Sequence, residues 1–337
     1  MNKKAVILFN LGGPDSLESV KPFLFNLFND AAIIRLPLIP RYLIAKYISS
    51  KREKIAQEIY SHIGNKSPLL EITNQQKRAL EKSLNENDDE NSYKCFVAMR
   101  YWKPFISDAI KKAEEYNFDE IILLPLYPQF STTTTGSSVT EWKKQVENSK
   151  LKDLKTTIIQ SYPEEEFYIE SFCKKTLETY NTVEDKENCR ILFSAHGLPK
   201  KISDMLDEPY EKEIKLTADK MIENLKSELS VSDLDYVICY QSRVGKMEWI
   251  GPSLDEELER AGKDNKGVLI VPISFVSEHS ETLVELDIEY KKIAEENKIP
   301  FYKRVKTVCD DELYIKSLTK ICIGNIDDKR KNDYKIL

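Results

Sequence analysis

Eight short apolar runs punctuate the chain, at residues 5–11, 95–101, 120–127, 156–162, 189–196, 235–242, 267–275 and 301–308. Most lack polar alternation, as parallel strands covered on both faces require. The stretches between them, including 105–116, 164–180 and 210–229, carry the apolar spacing of amphipathic helices. The alternation predicts an α/β, doubly wound fold.

Two of the runs are alike. Residues 122–131 read ILLPLYPQFS and residues 269–277 read LIVPISFVS, each with a proline inside the strand and a Phe shortly before a hydroxyl. A strand proline belongs at an edge or an end, so both strands are expected to stop early and release their tails. The likeness suggests two related halves. A length of 337 residues agrees, at about 150 residues per domain. The expected division is residues 1–155 and 156–308, with a C-terminal helix from about 309–337 packing back onto the first half.

Hydrophobic residues make up 41% and charged residues 31%, which excludes a disordered chain and a polytopic membrane protein. The net charge is −6 (50 basic, 56 acidic) without a dense basic block, which argues against nucleic acid as partner. Six cysteines, at 95, 173, 189, 239, 309 and 322, include no CxxC, so they read as buried thiols of a reducing compartment. The first apolar run is stopped by Gly12, Gly13 and Pro14 with no cleavage site after it. No run reaches the ~18 residues that span a bilayer. A cytoplasmic location is expected, with any membrane contact peripheral.

Candidate chemistry gathers where strands end. Asn10, Arg100 with Tyr101, Tyr127, His196, Gln241 with Ser242, and residues 277–281 all lie at or past C-terminal strand ends. Open α/β sheets bind ligands there. His196, one of three histidines, caps an apolar run and precedes Gly197 and Pro199; it is either a structural strand-end imidazole or a working one. Glu281, Glu285 and Glu289 follow at four-residue spacing, with no basic residue before Lys291. Like charges so spaced repel one another, so the row is either a solvated face or a file that handles a cation. Glu and His together suit a borderline divalent metal such as Fe²⁺.

Other motifs carry less. Ser131 to Ser138 lacks the glycines and Lys of a P-loop, Leu11-Gly12-Gly13-Pro14 is not GxGxxG, and GxSxG is absent. Residues 33–48, IIRLPLIPRYLIAKYI, are either buried cover or an exposed apolar lip resting on a membrane, with Arg35, Arg41 and Lys46 near headgroups.

Six blocks, in order, resemble the ferrochelatase family from about Ala5 to Val308. They are Asn10 to Pro14, Met99 to Tyr101, Leu124 to Ser131 with Thr135 to Ser138, Phe193 to Pro199, Gln241 to Gly245 with Trp249 to Pro252, and Pro272 to Glu281 with Glu285 to Tyr290. The resemblance implies two Rossmann-like domains, each a mostly parallel sheet flanked by helices, with a porphyrin cleft between them. It implies His196 and Glu281 as the catalytic pair and metal ligands. Glu278, Glu285 and Glu289 become a cation or proton path along a widened helix. Leu11, Arg52, Tyr60, Ser67, Arg100, Tyr101, Trp249 and Phe275 become substrate-binding residues.

The activity implied is insertion of ferrous iron into protoporphyrin IX, the terminal step of haem biosynthesis. The ring must be bent and two pyrrole protons removed, which suits a rigid apolar cleft and a base such as His196. Iron insertion into coproporphyrin III and a non-catalytic porphyrin carrier are the alternatives. An upstream porphyrinogen oxidase is a candidate partner. Some members hold a [2Fe–2S] cluster on an internal cysteine and a C-terminal trio. Here the tail has only Cys309 and Cys322, and Ser171 stands where the internal ligand would fall, so no cluster is expected and no cofactor beyond the substrate iron. Some members also carry Met where this chain has Leu11.

Overall fold

Each of the eight apolar runs overlaps a strand: β1 (Asn2–Asn10), β2 (Asn91–Met99), β3 (Glu120–Pro125), β4 (Lys155–Ile158), β5 (Cys189–His196), β6 (Tyr236–Gln241), β7 (Gly267–Pro272) and β8 (Tyr302–Arg304). The computed structural model describes residues 1–205, 208–243, 245 and 247–324. The strands form two separate four-stranded sheets, ordered β2-β1-β3-β4 and β6-β5-β7-β8, with every pair parallel. β4 and β8, with four and three residues, are shorter than their apolar runs and lie at one edge of each sheet.

One unit comprises Met1–Ser161 with residues 315–324, the other Tyr162–Tyr314. The divisions fall a few residues past the expected 155 and 308 for local reasons. The Ile159 amide still donates to Leu123 O at 3.0 Å, continuing the first sheet beyond β4. At the other end, Asp311 accepts from Ser171 at 2.9 Å and Tyr314 meets the Tyr162 hydroxyl at 2.9 Å, holding 309–314 to the second unit. Thr319, in helix Glu312–Ile323, donates to Ser83 of the first unit at 2.8 Å. Residues 325–337 of the expected C-terminal helix lie outside the described residues.

The two sheets repeat one plan in detail. Pro125 ends β3 opposite Phe9, and Pro272 ends β7 opposite Ser194. Asn10 pairs with Met99 as Ala195 pairs with Tyr240. The Met99 amide donates to Pro104 O at 2.7 Å, and the Tyr240 amide to Pro252 O at 2.9 Å. The next residue in each unit, Phe105 or Ser253, precedes a helix and donates its amide to a carboxylate three residues on, Asp108 at 2.8 Å or Glu256 at 2.7 Å. By this register Leu11 occupies in the first unit the place of His196 in the second. Each proline-ended strand also leads to a π-helix, Thr132–Gly136 and Glu281–Tyr290.

Each sheet buries its apolar side chains under helices. In the first unit Phe9 meets Trp142 edge-on at 6.2 Å among Ile7, Ile121 and Leu123. In the second, Leu192, Val268 and Ile270 pack against Leu254, Leu258 and Leu286. These cores fix the strand ends where the polar residues stand. Helix Leu38–Ser61 is different: Leu38, Ile39, Leu43 and Tyr47 are 60% exposed or more, which overturns the buried-cover reading of 33–48.

Candidate active site

His196 is the last residue of β5, and its register partner on β6 is Gln241, so Gln241 and Ser242 arrive beside it. The π-helix after β7 brings Glu281 and Glu285 to the same place. The His196 main chain is tied on both sides, its amide donating to Ser274 Oγ at 3.3 Å and its carbonyl accepting from the Tyr210 hydroxyl at 3.1 Å. Gly197 is needed here because a Cβ would fall 2.9 Å from Gln241 O and against Arg243 and Trp249.

The His196 imidazole is hydrogen-bonded through Nδ1 to Glu281 Oε2 at 2.8 Å. Glu285 is held by Ser242, whose amide donates to Oε1 at 2.8 Å and whose hydroxyl donates to Oε2 at 2.6 Å. Gln241 Nε2 adds a contact to Glu285 Oε2 at 3.2 Å and one to the Glu281 carbonyl at 3.1 Å. Ser194 in turn donates to Gln241 Oε1 at 2.8 Å, fixing which end of the amide faces the acids. Ser242 reaches this position with φ of 62°, in the left-handed region.

The electrostatics divide the two carboxylates. Burial would raise both. At Glu281 the adjacent His196 charge and hydrogen bond, with His279 nearby at 3.9 Å, outweigh burial and hold the carboxyl well below its usual value. At Glu285 burial and the neighbouring Glu281 charge prevail over the Ser242 bond, and the carboxyl is pushed up to about 7. Burial would lower the His196 imidazole, but Glu281 and then Glu285 raise it above its ordinary value. An ionised Glu281 only accepts, so His196 Nδ1 carries the hydrogen. In the neutral imidazole the free lone pair is therefore on Nε2. The ring is 41% exposed and so remains accessible to a substrate.

The other expected residues of this unit divide. Phe275 packs its ring on His279 at 4.8 Å, and His279 donates from Nδ1 to Ser277 O at 3.1 Å. Trp249 lies against Gly197. Glu278 is not brought into the acidic file, a correction to the expected row: both of its oxygens face Arg304 Nη1, at 3.0 and 3.1 Å, and Oε1 also takes the Thr307 amide at 3.0 Å. Glu289 is exposed farther along the helix. Among the described residues no three His, Cys, Asp or Glu side chains gather as a metal-ligand set. His196 and Glu281 offer one nitrogen and a carboxylate, a pair suited to transient handling.

In the first unit, Arg100 and Tyr101 form a buried network around Asp30. Arg100 Nη2 lies 2.9 Å from Asp30, and the Tyr101 hydroxyl donates to it at 2.7 Å. Ser137 also donates to Asp30 and accepts from Arg100 Nε at 2.7 Å. Burial would raise the Asp30 carboxyl, yet Arg100 and the hydroxyls bring it below its ordinary value. Leu11 and Tyr60 pack with Tyr101, Val20, Phe23 and Leu24. Ser67 crowds Gly13, where a Cβ would come within 2.4 Å, and Arg52 lies 5.9 Å from the Phe28 ring centre. The hydroxyls of 131–138 are mostly buried in the π-turn and the helix that follows it, so the segment is no open phosphate cradle.

Asp30, Ser274, Tyr210 and Arg304 were beyond sequence reasoning, because each acts through a partner distant in the chain. Gln241 and Ser242 carried a usable signal, their position at a strand end beside His196.

The ferrochelatase family model matches residues 3–325. The chain is 52% identical over 338 residues to a ferrochelatase of Rickettsia bellii (strain OSU 85-389), covering 100% of this chain and 91% of that protein. It is 45% identical over 333 residues to a ferrochelatase of Pelagibacter ubique (strain HTCC1062), covering 99% and 92%. Among solved structures it is similar to SirB from Bacillus subtilis with Fe³⁺, with a TM-score of 0.57 and 12% identity over 99% of this chain and 100% of that one. The last likeness is one of fold.

Proposed function

The chain belongs to the ferrochelatase family, and from that premise we propose that it inserts ferrous iron into protoporphyrin IX, forming protohaem and releasing two protons. The observation that carries the reading is the His196–Glu281 pair with Glu285 behind it. Free-base porphyrin must surrender two pyrrole protons as the metal enters. His196 Nε2 accepts them one at a time, its solvent-exposed ring giving the first to water before taking the second, and Glu281, bonded to Nδ1, stabilises the imidazolium formed each time. The paired carboxylates supply negative charge that draws in the cation and compensates the protonated ring. Glu285, titrating near neutrality, can pass a proton outward toward the exposed end of the helix.

Arg100, held by Asp30, is a rigid group for substrate contact in the first unit, with Leu11, Arg52 and Ser67 on the same unit. Tyr101 is fully buried and Tyr60 nearly so, a correction to the expected substrate-binding set, and Tyr101 serves instead to fix Asp30. Trp249 and Phe275 supply apolar wall in the second. The reading requires no iron–sulfur cluster. Cys173 is buried, 3.7 Å from Met221 O, and Ser171 is engaged with Asp311. Charge-transfer bands with stoichiometric iron and sulfide in the purified protein would overturn this. The exposed apolar face of helix Leu38–Ser61 supports a peripheral seat on the cytoplasmic side of a membrane, where an upstream porphyrinogen oxidase could deliver the porphyrin. No helix among the described residues is long and apolar enough to cross a membrane.

The test is anaerobic insertion of Fe²⁺, and of Zn²⁺ as a stable surrogate, into protoporphyrin IX, followed by loss of porphyrin fluorescence. Wild type turns over, and His196→Ala binds porphyrin but loses on the order of 10²-fold or more in kcat. Preference for coproporphyrin III would move the substrate assignment. Binding without turnover of either porphyrin in the wild type would point to a carrier.

A further inference from the structure

The helix carrying Glu281 and Glu285 is π over the ten residues Glu281–Tyr290. Such geometry ordinarily survives for a single turn, so a run of this length calls for support from outside the helix. Register matters for these two acids. Four residues exceed one turn of an α-helix but fall short of one turn of a π-helix, so the register decides on which side of Glu281 the Glu285 carboxylate falls.

β8 supplies outside support. Tyr302 and Arg304, two residues apart on one face of the strand, both reach the π-helix. The Tyr302 hydroxyl donates to Leu286 O at 2.7 Å, a carbonyl inside the π run. Arg304 grips Asp287 with Nε to Oδ1 and Nη2 to Oδ2, both 2.6 Å, while its Nη1 holds Glu278, three residues before the helix begins. The Arg304 side chain is 7% exposed and its partner Asp287 35%, so the bidentate pair is enclosed on the arginine side and reaches solvent on the carboxylate side. Neither side chain is hydrogen-bonded to His196, Glu281 or Glu285.

We propose that β8 is a register clamp: Tyr302 and Arg304 are positioning residues that hold the helix in its π register and so set the reach of Glu281 to His196 and of Glu285 to Ser242. The inference rests on the metal-insertion reading for its functional consequence, and on the hydrogen bonds alone for its structural part. Glu278 belongs to the clamp, with its carboxylate turned to Arg304 and away from the file.

Tyr302→Phe and Arg304→Gln test it in the full-length protein, by peptide-resolved amide hydrogen exchange and by insertion kinetics. Tyr302→Phe removes one hydroxyl and no packing volume. It is expected to speed exchange about fivefold in peptides covering 281–290, leaving β5 to β7 unchanged. Arg304→Gln is expected to speed it more and to lower kcat about tenfold with the porphyrin KM within twofold of wild type. Unchanged exchange in Tyr302→Phe overturns the clamp, and this variant decides the question if Arg304→Gln does not fold. Exchange that quickens uniformly over the second unit, or that quickens locally with kcat unchanged in both variants, also overturns it. Absence of insertion in the wild type would count against the proposed function, while the exchange result still decides the clamp.

Discussion

Glu281 and Glu285 stand four residues apart on one π-helix and are driven in opposite directions, Glu281 well below the usual carboxylate range and Glu285 up to about 7. The asymmetry comes from their partners. His196 faces Glu281 with a positive charge, whereas Glu285 has hydrogen-bond donors and a like charge beside it. Glu281 is therefore a fixed negative charge near neutral pH, while Glu285 titrates beside it.

This gives the pH dependence a sign. As pH rises through about 7, Glu285 ionises and attracts the cation; His196, whose pKa is raised above its ordinary value, likewise turns into the neutral base as pH rises. Both changes increase kcat/KM for the metal, so the profile is expected to climb through neutrality. Its apparent midpoint belongs to the coupled cluster. Glu285→Gln removes one titration and also the charge that helps raise His196, so the climb should shift to lower pH and a lower plateau. An unaltered profile in that variant would exclude Glu285 from the pathway.

Ser242 makes the complementary test. Its hydroxyl lowers the Glu285 carboxyl, opposing burial. Ser242→Gly keeps a residue at home in the left-handed region and retains the amide contact, losing the hydroxyl, whose short contact is to Glu285 Oε2 at 2.6 Å and whose longer one is to Glu281 Oε2 at 3.3 Å. Glu285 should then titrate higher, and the climb in kcat/KM should move to higher pH, opposite to the Glu285→Gln shift. A shift in the same direction as Glu285→Gln would refute the assignment of the hydroxyl.

What the sequence made legible follows from the range of the interactions. All eight strands were visible because an apolar run reports its own burial. The repeat showed through Pro125 and Pro272, which end equivalent strands. His196 and Glu281 stood out because histidines are few and the acid spacing is unusual. Glu278 reads from sequence as part of the acidic file, but its partner, Arg304, lies on the edge strand 26 residues later and draws it away. Asp30 gave no sign at all, since Arg100, Tyr101 and Ser137 reach it only in the folded unit. The π register at Thr132–Gly136 is likewise hidden, because hydroxyl-rich sequence suits both an open loop and a buried turn.

Asp30 is expected to be among the costliest polar residues to replace. It is 7% exposed at its side chain and neutralises Arg100 while accepting from Tyr101 and Ser137. Asp30→Asn leaves the guanidinium only the more distant Glu141, at 4.0 Å, as counter-charge, at a cost of about 3 kcal/mol. Because the native carboxyl lies below its ordinary value, the stabilisation is present above the unfolded value near 3.8 and lost as pH falls through the folded one. Urea unfolding at pH 7 should show the full difference from wild type, and the gap should close under acid. A difference that stays constant with pH would mean the carboxylate charge is not its source.

The apolar face of helix Leu38–Ser61 makes the final prediction. Leu38, Ile39, Leu43 and Tyr47 recur at helical spacing on the exposed side, at 64%, 75%, 60% and 66%, with Lys46 exposed among them. An apolar stripe flanked by cations fits the headgroup boundary of an anionic bilayer better than bulk water. The protein should co-sediment with vesicles containing anionic phospholipid at low ionic strength, and partly release as salt screens the cations. Burying each side chain contributes about 1.5 kcal/mol, so Ile39→Asp with Leu43→Asp should weaken partitioning by about 100-fold. Both positions face solvent, so the thermal midpoint should hold. Failure of the wild type to sediment at low salt, or equal sedimentation of the double variant, would remove the membrane from the account of this face.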